Sequence, residues 1–129
     1  MLRRPRTWEG LAAIRLDRVL AGVPLRETRG DLVTVEVSAV TFDISEARPG
    51  ALHCCLPGSR RDGHDLAGGA LAAGAVALLV ERPLPLDAVQ AVVAPGDGRP
   101  AMAEAACALH GRPAEALATV GVTGTNGKT

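Results

Sequence analysis

The segment ALHCCLPGSRRDGHDLAGGALAAGAVALLVE, residues 51–81, decides the fold. Its apolar beginning at 51–56 predicts a strand, which is followed by a loop rich in glycine and charge. The small residues at 66–75 predict a helix that ends near Gly74, and AVALLVE at 75–81 predicts the next strand. Strands that alternate with helices in this way indicate an α/β layer fold.

The flanking sequence continues this alternation. Between positions 32 and 43, Val33, Val35 and Val37 alternate with polar residues, which is typical of a half-buried strand. The two stretches before it, AGVPL and ETRGD, predict loops. The other predicted elements are a helix at 8–20, a strand at 88–94, a helix at 97–111 that packs through Ala101, Ala105, Ala106 and Leu109, and a strand at 118–122.

The composition indicates a protein without a nucleic-acid or membrane surface. The 129 residues make one ordinary domain, and fourteen basic side chains balance fourteen acidic ones. The amino-terminal segment MLRRPRTWEG is basic but lacks the apolar stretch of a secretion signal. Residues 67–80 are too few and too rich in glycine to span a bilayer. We therefore expect a cytoplasmic protein that binds neither nucleic acid nor a membrane.

The cysteine and histidine positions predict structural roles. Cys54 and Cys55 are neighbours on a predicted strand and point to opposite faces, so we expect buried thiols and no shared metal. His64 follows a tight turn, and a histidine there more often caps backbone groups than binds a ligand. Asp62 and Asp65 beside it are expected to shape the turn.

VGVTGTNGKT, residues 120–129, predicts a phosphate-binding loop after a strand. Its glycines allow backbone N–H groups to turn into one concavity. Lys128, the only lysine of the chain, would reach phosphate oxygens, and the hydroxyl of Thr129 would bind a magnesium ion. The strict phosphate-loop pattern requires a further glycine where Val122 stands, so a glycine turn with an unrelated lysine remains an alternative.

Two segments of the chain resemble the Mur ligase family. TGTNGKT at 123–129 is similar to the ATP loop of that family, and residues 41–82 resemble the amino-terminal UDP-binding domain of its tripeptide synthetases. That domain tends to read T-x-D-S-R-x-V-x-P-G, then P-G-x-x-x-D-G-H and G-A. The positions at matching spacing are Thr41, Asp43, Pro49, Gly50, Pro57, Gly58, Asp62, Gly63, His64, Gly74 and Ala75.

The resemblance implies a fold, a domain boundary and two sets of binding residues. It implies a small mixed-sheet, Rossmann-like UDP-binding domain at 1–112, followed at 113–129 by the first strand and phosphate loop of a truncated ATP-binding domain. The implied ATP-binding residues are Gly124, Thr125, Asn126, Gly127, Lys128 and Thr129, with Thr129 on the magnesium ion of ATP. The implied UDP-sugar-binding residues are Phe42, Ile44, Ser45, Ser59, Arg60 and Arg61. No catalytic residue is implied within this chain.

The sequence departs from the family pattern at the uridine contact. Where the family has D-S-R, this chain has Asp43, Ile44 and Ser45, and Ile44 has no hydroxyl to offer. Ser45 lies one position further along, where a strand would turn it to the other face. In the next loop, Arg60 and Arg61 can neutralise a diphosphate through paired donors. Their alternative role is that of solvated loop charges.

The resemblance implies an ATP-dependent amide ligase of peptidoglycan synthesis. The family enzyme uses ATP and Mg²⁺ to join the third stem amino acid, meso-diaminopimelate or L-lysine, to UDP-N-acetylmuramoyl-L-alanyl-D-glutamate. The remainder of such a ligase would follow the phosphate loop, so we expect this chain to be an inactive amino-terminal fragment. Two alternatives stay open. One is another Mur-type amide ligase with an altered substrate, which Ile44 favours, and the other is a non-catalytic UDP-sugar-binding module.

We expect residues 1–129 alone to hydrolyse no ATP. A phosphate loop binds anions through the N-terminus of the helix that follows it, and that helix is not part of this polypeptide. An assay with radioactive ATP measures the turnover, with a complete ligase of the family as the positive control. Phosphate release by the polypeptide above the buffer background would contradict the expectation.

Overall fold

A five-stranded mixed sheet forms the centre of residues 13–110, the part of the chain that the computed structural model describes. Its strands, in spatial order, are β2 (Glu27–Arg29), β7 (Val89–Val92), β6 (Ala77–Val80), β5 (Ala51–Cys54) and β4 (Ala39–Thr41). The four strands β4 to β7 run parallel, and β2 pairs antiparallel with β7 at one edge. The sheet confirms the predicted α/β fold with a mixed sheet.

Several predicted features lie outside the described residues. They are the first part of the helix at 8–20, the strand at 118–122, the whole phosphate loop and the domain boundary between 112 and 113. These remain predictions.

Helices cover both faces of the sheet. On one face, α1 (Leu16–Val19) and α3 (Gly98–Leu109) pack into a core that includes Cys54. On the other face, α2 (Ala67–Ala72) packs into a second core that includes Cys55. The two thiols therefore do point to opposite faces. Of the four residues predicted to pack from the last helix, three are buried (Ala101, Ala105 and Leu109), whereas Ala106 is only partly buried.

The predicted strand at 32–43 is wrong in its first part. The carboxylate of Asp31 accepts a hydrogen bond from the backbone N–H of Val33 at 2.9 Å and so caps a 3-10 turn at Leu32–Thr34. Regular pairing follows only in β3 (Glu36–Val37) and β4, and the side chain of Val33 is 50% exposed. The alternating pattern therefore overestimated the length of the strand, because a local side-chain cap competes with sheet pairing for the backbone.

Two shorter segments also differ from the prediction. ETRGD was predicted to be a loop, but Glu27–Arg29 forms the edge strand β2. All three of its residues are exposed, so it has no apolar alternation that would reveal a strand. Ile14–Arg15, predicted to be helical, forms β1 and pairs antiparallel with β3.

We expect opposite effects from alanine at two glycines, one in the first turn of α2 and one just after its end. Gly74 has φ of +111°, and a Cβ there would lie 2.8 Å from the Cα of Pro49, so Gly74→Ala should lower the free energy of unfolding by on the order of 1–3 kcal/mol. Gly68 lies within α2 with open space around its Cα, so Gly68→Ala should raise it by about 0.5–1 kcal/mol.

Urea unfolding of the two variants and the parent chain measures both changes, and Gly68→Ala is the matched control. A Gly74→Ala variant as stable as the parent would show that this turn does not require the left-handed conformation.

Candidate functional site

A cleft of about 250 Å³ opens at the carboxyl ends of β4 and β5. Ligands of parallel α/β sheets bind at this end of the strands, because the loops that follow neighbouring strands meet there. Residues after β4 contribute Phe42 and Ile44 to the lining, and the loop after β5 contributes Leu56 and Arg61. The beginning of α3 adds Arg99. Three of the six predicted UDP-sugar residues (Phe42, Ile44 and Arg61) therefore share one cleft.

The segment after β4 is fixed by a carboxylate cap. Asp43 accepts hydrogen bonds from the backbone N–H of Ser45 at 3.0 Å and from its hydroxyl at 2.9 Å, which closes a 3-10 turn at Ile44–Glu46. These bonds hold the pKa of Asp43 below its usual value. The turn corrects the sequence argument for Ser45, since this residue is not on a strand and does not line the cleft with Ile44.

The apolar part of the cleft comes largely from this segment. The side chain of Phe42 is 55% exposed, although large apolar residues are usually buried. The side chain of Ile44 points towards α2, because a Cβ on Gly69 would lie 3.5 Å from its Cδ1. Leu56 and Leu66 complete this wall. The cleft thus offers an apolar surface to a ligand where the family pattern has a serine hydroxyl.

The loop at 57–63 folds back on itself and positions Arg61. Pro57 and Asp62 form an antiparallel bridge, and the N–H of Gly63 donates to the carbonyl oxygen of Leu56 at 2.8 Å. At Gly58 a Cβ would lie 2.5 Å from the carbonyl oxygen of Arg61, so only glycine fits there. Within this tight loop, Arg61 lines the cleft. The other two predicted residues of the loop, Ser59 and Arg60, are exposed and lie outside the lining.

His64 connects this loop to the next strand. The backbone N–H of Glu81 donates to Nε2 of His64 at 2.9 Å, so this nitrogen carries no proton. Nδ1 is therefore the protonated nitrogen, and it donates to the carboxylate of Asp62 at 2.7 Å. The His64 side chain is fully buried. The prediction that His64 caps backbone groups is confirmed, and Asp62 shapes the turn as expected by accepting the N–H of His64 at 3.0 Å.

Asp62 is held as a carboxylate. It accepts hydrogen bonds from the backbone N–H and the ring of His64, and Arg82 donates to its second oxygen at 2.8 Å. The two bonds from His64, followed by the bond from Arg82, lower the pKa of Asp62 far below its usual value. This carboxylate is therefore a structural anchor that already accepts three hydrogen bonds.

Glu81 carries the same network to the start of α3. Its carboxylate accepts the backbone N–H groups of Gly96 and Gly98, each at 3.0 Å. Sequence reasoning missed two charged residues at or near the cleft, Glu81 and Arg99, and two apolar residues of its lining, Leu56 and Leu66. Arg99 did fall at the beginning of the predicted helix 97–111, but no local pattern shows that this helix starts beside the loop after β5.

The ionisable side chains at positions 53–55, in β5 and directly after it, are buried in structural roles. His53 Nδ1 lies 2.9 Å from the hydroxyl of Thr41, and burial lowers the pKa of His53, which favours the neutral ring. Burial raises the pKa of the Cys54 thiol, and it raises that of Cys55 to about 12. Between residues 13 and 110 no group of three or more His, Cys, Asp or Glu side chains could hold a metal ion. Nor does any helix in that range have the length and apolar character needed to cross a membrane.

The fold and the cleft define an α/β domain that presents arginines and apolar side chains at the carboxyl edge of its sheet. Its fold is similar to that of MurF from Acinetobacter baumannii, with a TM-score of 0.63 and 24% sequence identity, over 73% of this chain and 20% of that one. The model of the Mur ligase family, catalytic domain, matches residues 36–120. The chain belongs to the Mur ligase family.

Curated relatives carry a more specific name. The UDP-N-acetylmuramoyl-L-alanyl-D-glutamate–2,6-diaminopimelate ligase of Solibacter usitatus is 40% identical over 117 residues, which is 90% of this chain and 24% of that protein. The ligase of the same name from Geobacillus kaustophilus is 47% identical over 94 residues, which is 73% of this chain and 19% of that protein. The chain thus spans about a quarter or less of the length of these relatives.

We expect Asp62→Asn to destabilise the domain near neutral pH and to have little effect in acid. Replacing the carboxylate weakens its bonds to Arg82 and the buried His64 ring, which should cost about 1–3 kcal/mol. Because the folded-state pKa of Asp62 lies below its ordinary value of 3.8, its stabilisation is present above that pH and is lost as the pH falls.

Thermal unfolding of the parent and the variant from about pH 7 down to about pH 2 measures this difference, since the stabilisation begins to be lost only as the pH falls below the ordinary pKa of 3.8. Asp65→Asn, an exposed neighbour in the same turn, is the control. If the difference in melting temperature between the parent and Asp62→Asn stays the same in acid, the charge of the carboxylate contributes nothing to the stability of the domain.

Proposed function

We propose that this chain is the UDP-binding part of an ATP-dependent ligase of peptidoglycan synthesis. The ligase would join 2,6-diaminopimelate to UDP-N-acetylmuramoyl-L-alanyl-D-glutamate. The relatives at 40–47% identity have this activity in their names. The structural observation that carries the proposal is the cleft at the carboxyl ends of β4 and β5, in which Phe42 and Ile44 lie beside Arg61.

The chemistry of this cleft suits a nucleoside diphosphate. A pyrimidine ring and a ribose can lie against Phe42 and Ile44, since these side chains form an exposed apolar surface. The guanidinium of Arg61 can bind the diphosphate through paired donors. Ser45, Ser59 and Arg60 remain candidates for contacts with the parts of the substrate that extend beyond the cleft.

The role of such a domain is to bind the UDP end of the substrate, which is distant from the reacting atoms. In the proposed reaction, ATP phosphorylates the glutamate side-chain carboxylate, and the amine of diaminopimelate then displaces phosphate from the acyl phosphate. Binding energy from the remote UDP group positions the carboxylate for both steps. Residues 124–129 would hold ATP, with the hydroxyl of Thr129 on Mg²⁺, which neutralises charge during phosphoryl transfer.

Ile44 favours a second candidate function. Because it offers no hydrogen bond where the family pattern has serine, the chain could belong to a Mur-type amide ligase with an altered nucleotide substrate. The two candidates differ in whether UDP-N-acetylmuramoyl-L-alanyl-D-glutamate binds.

Isothermal titration of the purified chain with UDP-N-acetylmuramoyl-L-alanyl-D-glutamate tests the proposal. We expect saturable binding that Arg61→Ala weakens by about tenfold, the size of one charge-assisted hydrogen bond. Arg60→Ala should have a smaller effect, because Arg60 does not line the cleft.

Arg18→Ala, which removes an exposed arginine from α1, is the control and should leave the affinity unchanged. No binding by a chain shown to be folded would contradict the proposal and favour the altered substrate. An equal loss from Arg18→Ala and Arg61→Ala would show that the effect comes from net charge and not from the cleft.

A further inference from the structure

We infer that Arg99 is a second anion-binding residue of the cleft and contacts the diphosphate of the nucleotide together with Arg61. The inference rests on the proposed function and extends it to a residue of α3, a different element from the loops after β4 and β5. Arg99 is the second residue of α3, and it lines the same cleft as Phe42, Ile44 and Arg61.

The start of α3 is fixed in place by two contacts. The N–H of Gly98 donates to the Glu81 carboxylate at 3.0 Å, and Gly98 itself is buried. A Cβ on Gly98 would lie 2.8 Å from Cδ2 of Leu56, a residue that also lines the cleft. The first turn of the helix is therefore packed directly against Leu56, in the loop after β5. Arg99, one residue later, is attached to a rigid part of the cleft wall.

The charge of Arg99 is poorly placed for the stability of the helix. A cation in the first turn interacts unfavourably with the helix dipole, and the nearest acidic residue of the helix, the N-cap residue Asp97, makes no side-chain cap hydrogen bond. Glu81 already accepts the N–H groups of Gly96 and Gly98. An arginine at this position therefore needs a reason other than helix stability.

Arg99 and Arg61 have no carboxylate partner within salt-bridge distance among the residues that the structure describes. By contrast, Arg15, Arg29 and Arg82 each pair with an aspartate or a glutamate. The cleft lining contains one carboxylate, that of Asp43, and it already accepts two hydrogen bonds from Ser45.

Two guanidinium groups against one carboxylate leave the cleft with net positive charge. Two arginines without a carboxylate partner between residues 13 and 110, beside an apolar wall, match a ligand that has a planar apolar end and a multiply charged anionic group next to it. The guanidinium of arginine binds phosphate oxygens through paired donors. In this arrangement Phe42 and Ile44 take the nucleoside and the two arginines take the diphosphate.

The experiment compares UDP with uridine, which has the same nucleoside but no phosphate. NMR titrations of the full chain measure the affinity for both ligands in the parent and in Arg99→Ala, Arg99→Lys and the control Arg18→Ala. We expect Arg99→Ala to weaken UDP binding by about tenfold and to leave uridine binding unchanged. Arg99→Lys should restore part of the UDP affinity, because it keeps the charge without the planar fork.

Thermal unfolding of the same variants separates binding from folding. Arg99→Ala should not lower the melting temperature, since it removes a charge that the helix dipole disfavours. If Arg99→Ala binds UDP as tightly as the parent chain does, this inference is overturned and the proposed function stays intact. An equal loss of uridine and UDP affinity would also overturn it. A parent chain that binds neither UDP nor UDP-N-acetylmuramoyl-L-alanyl-D-glutamate would overturn the proposed function, and this inference with it.

Discussion

The hydrogen bonds of the buried His64 ring connect the chain segments that build the cleft. One ring nitrogen donates to Asp62 in the loop after β5, and the other accepts the N–H of Glu81 at the end of β6. The carboxylate of Glu81 then caps Gly98 at the start of α3. Neither ring nitrogen of a fully buried histidine can be left unpaired without a cost. The loop, the strand end and the helix start are therefore set relative to one another by a single satisfied network.

The parallel sheet places this hydrogen-bond network beside the cleft. Because β4, β5, β6 and β7 all end at the same edge, the residues that follow each strand come together there. The tight loop brings Arg61 to the cleft, and the fixed helix start brings Arg99. The carboxylates of Asp62 and Glu81 are occupied by structural hydrogen bonds, so they do not neutralise these arginines. Folding thus leaves the positive charge in the cleft available for an anion.

Much of the fold could be predicted from local patterns, and the failures have physical causes. The predicted strands at 51–56, 75–81 and 88–94 correspond to β5, β6 and β7, shortened by one to two residues at most ends. Continuous apolar segments revealed them because their side chains are almost all buried. The edge strand β2 was missed because its side chains are exposed and main-chain pairing with β7 defines it.

The sequence alone determined the family, the alternation of strands and helices, and the glycine and aspartate turns, because each of these depends on neighbouring residues. Among the cleft residues, it identified Phe42, Ile44 and Arg61 through their place in the family pattern. It could not show that Ser45 lies in a capped turn and is not among the cleft-lining residues, since Asp43 competes with the strand for the backbone of Ser45. Only the tertiary structure brought Arg99 to the cleft, because that placement depends on the packing of α3 against Leu56 and on its cap by Glu81, partners that are distant in sequence.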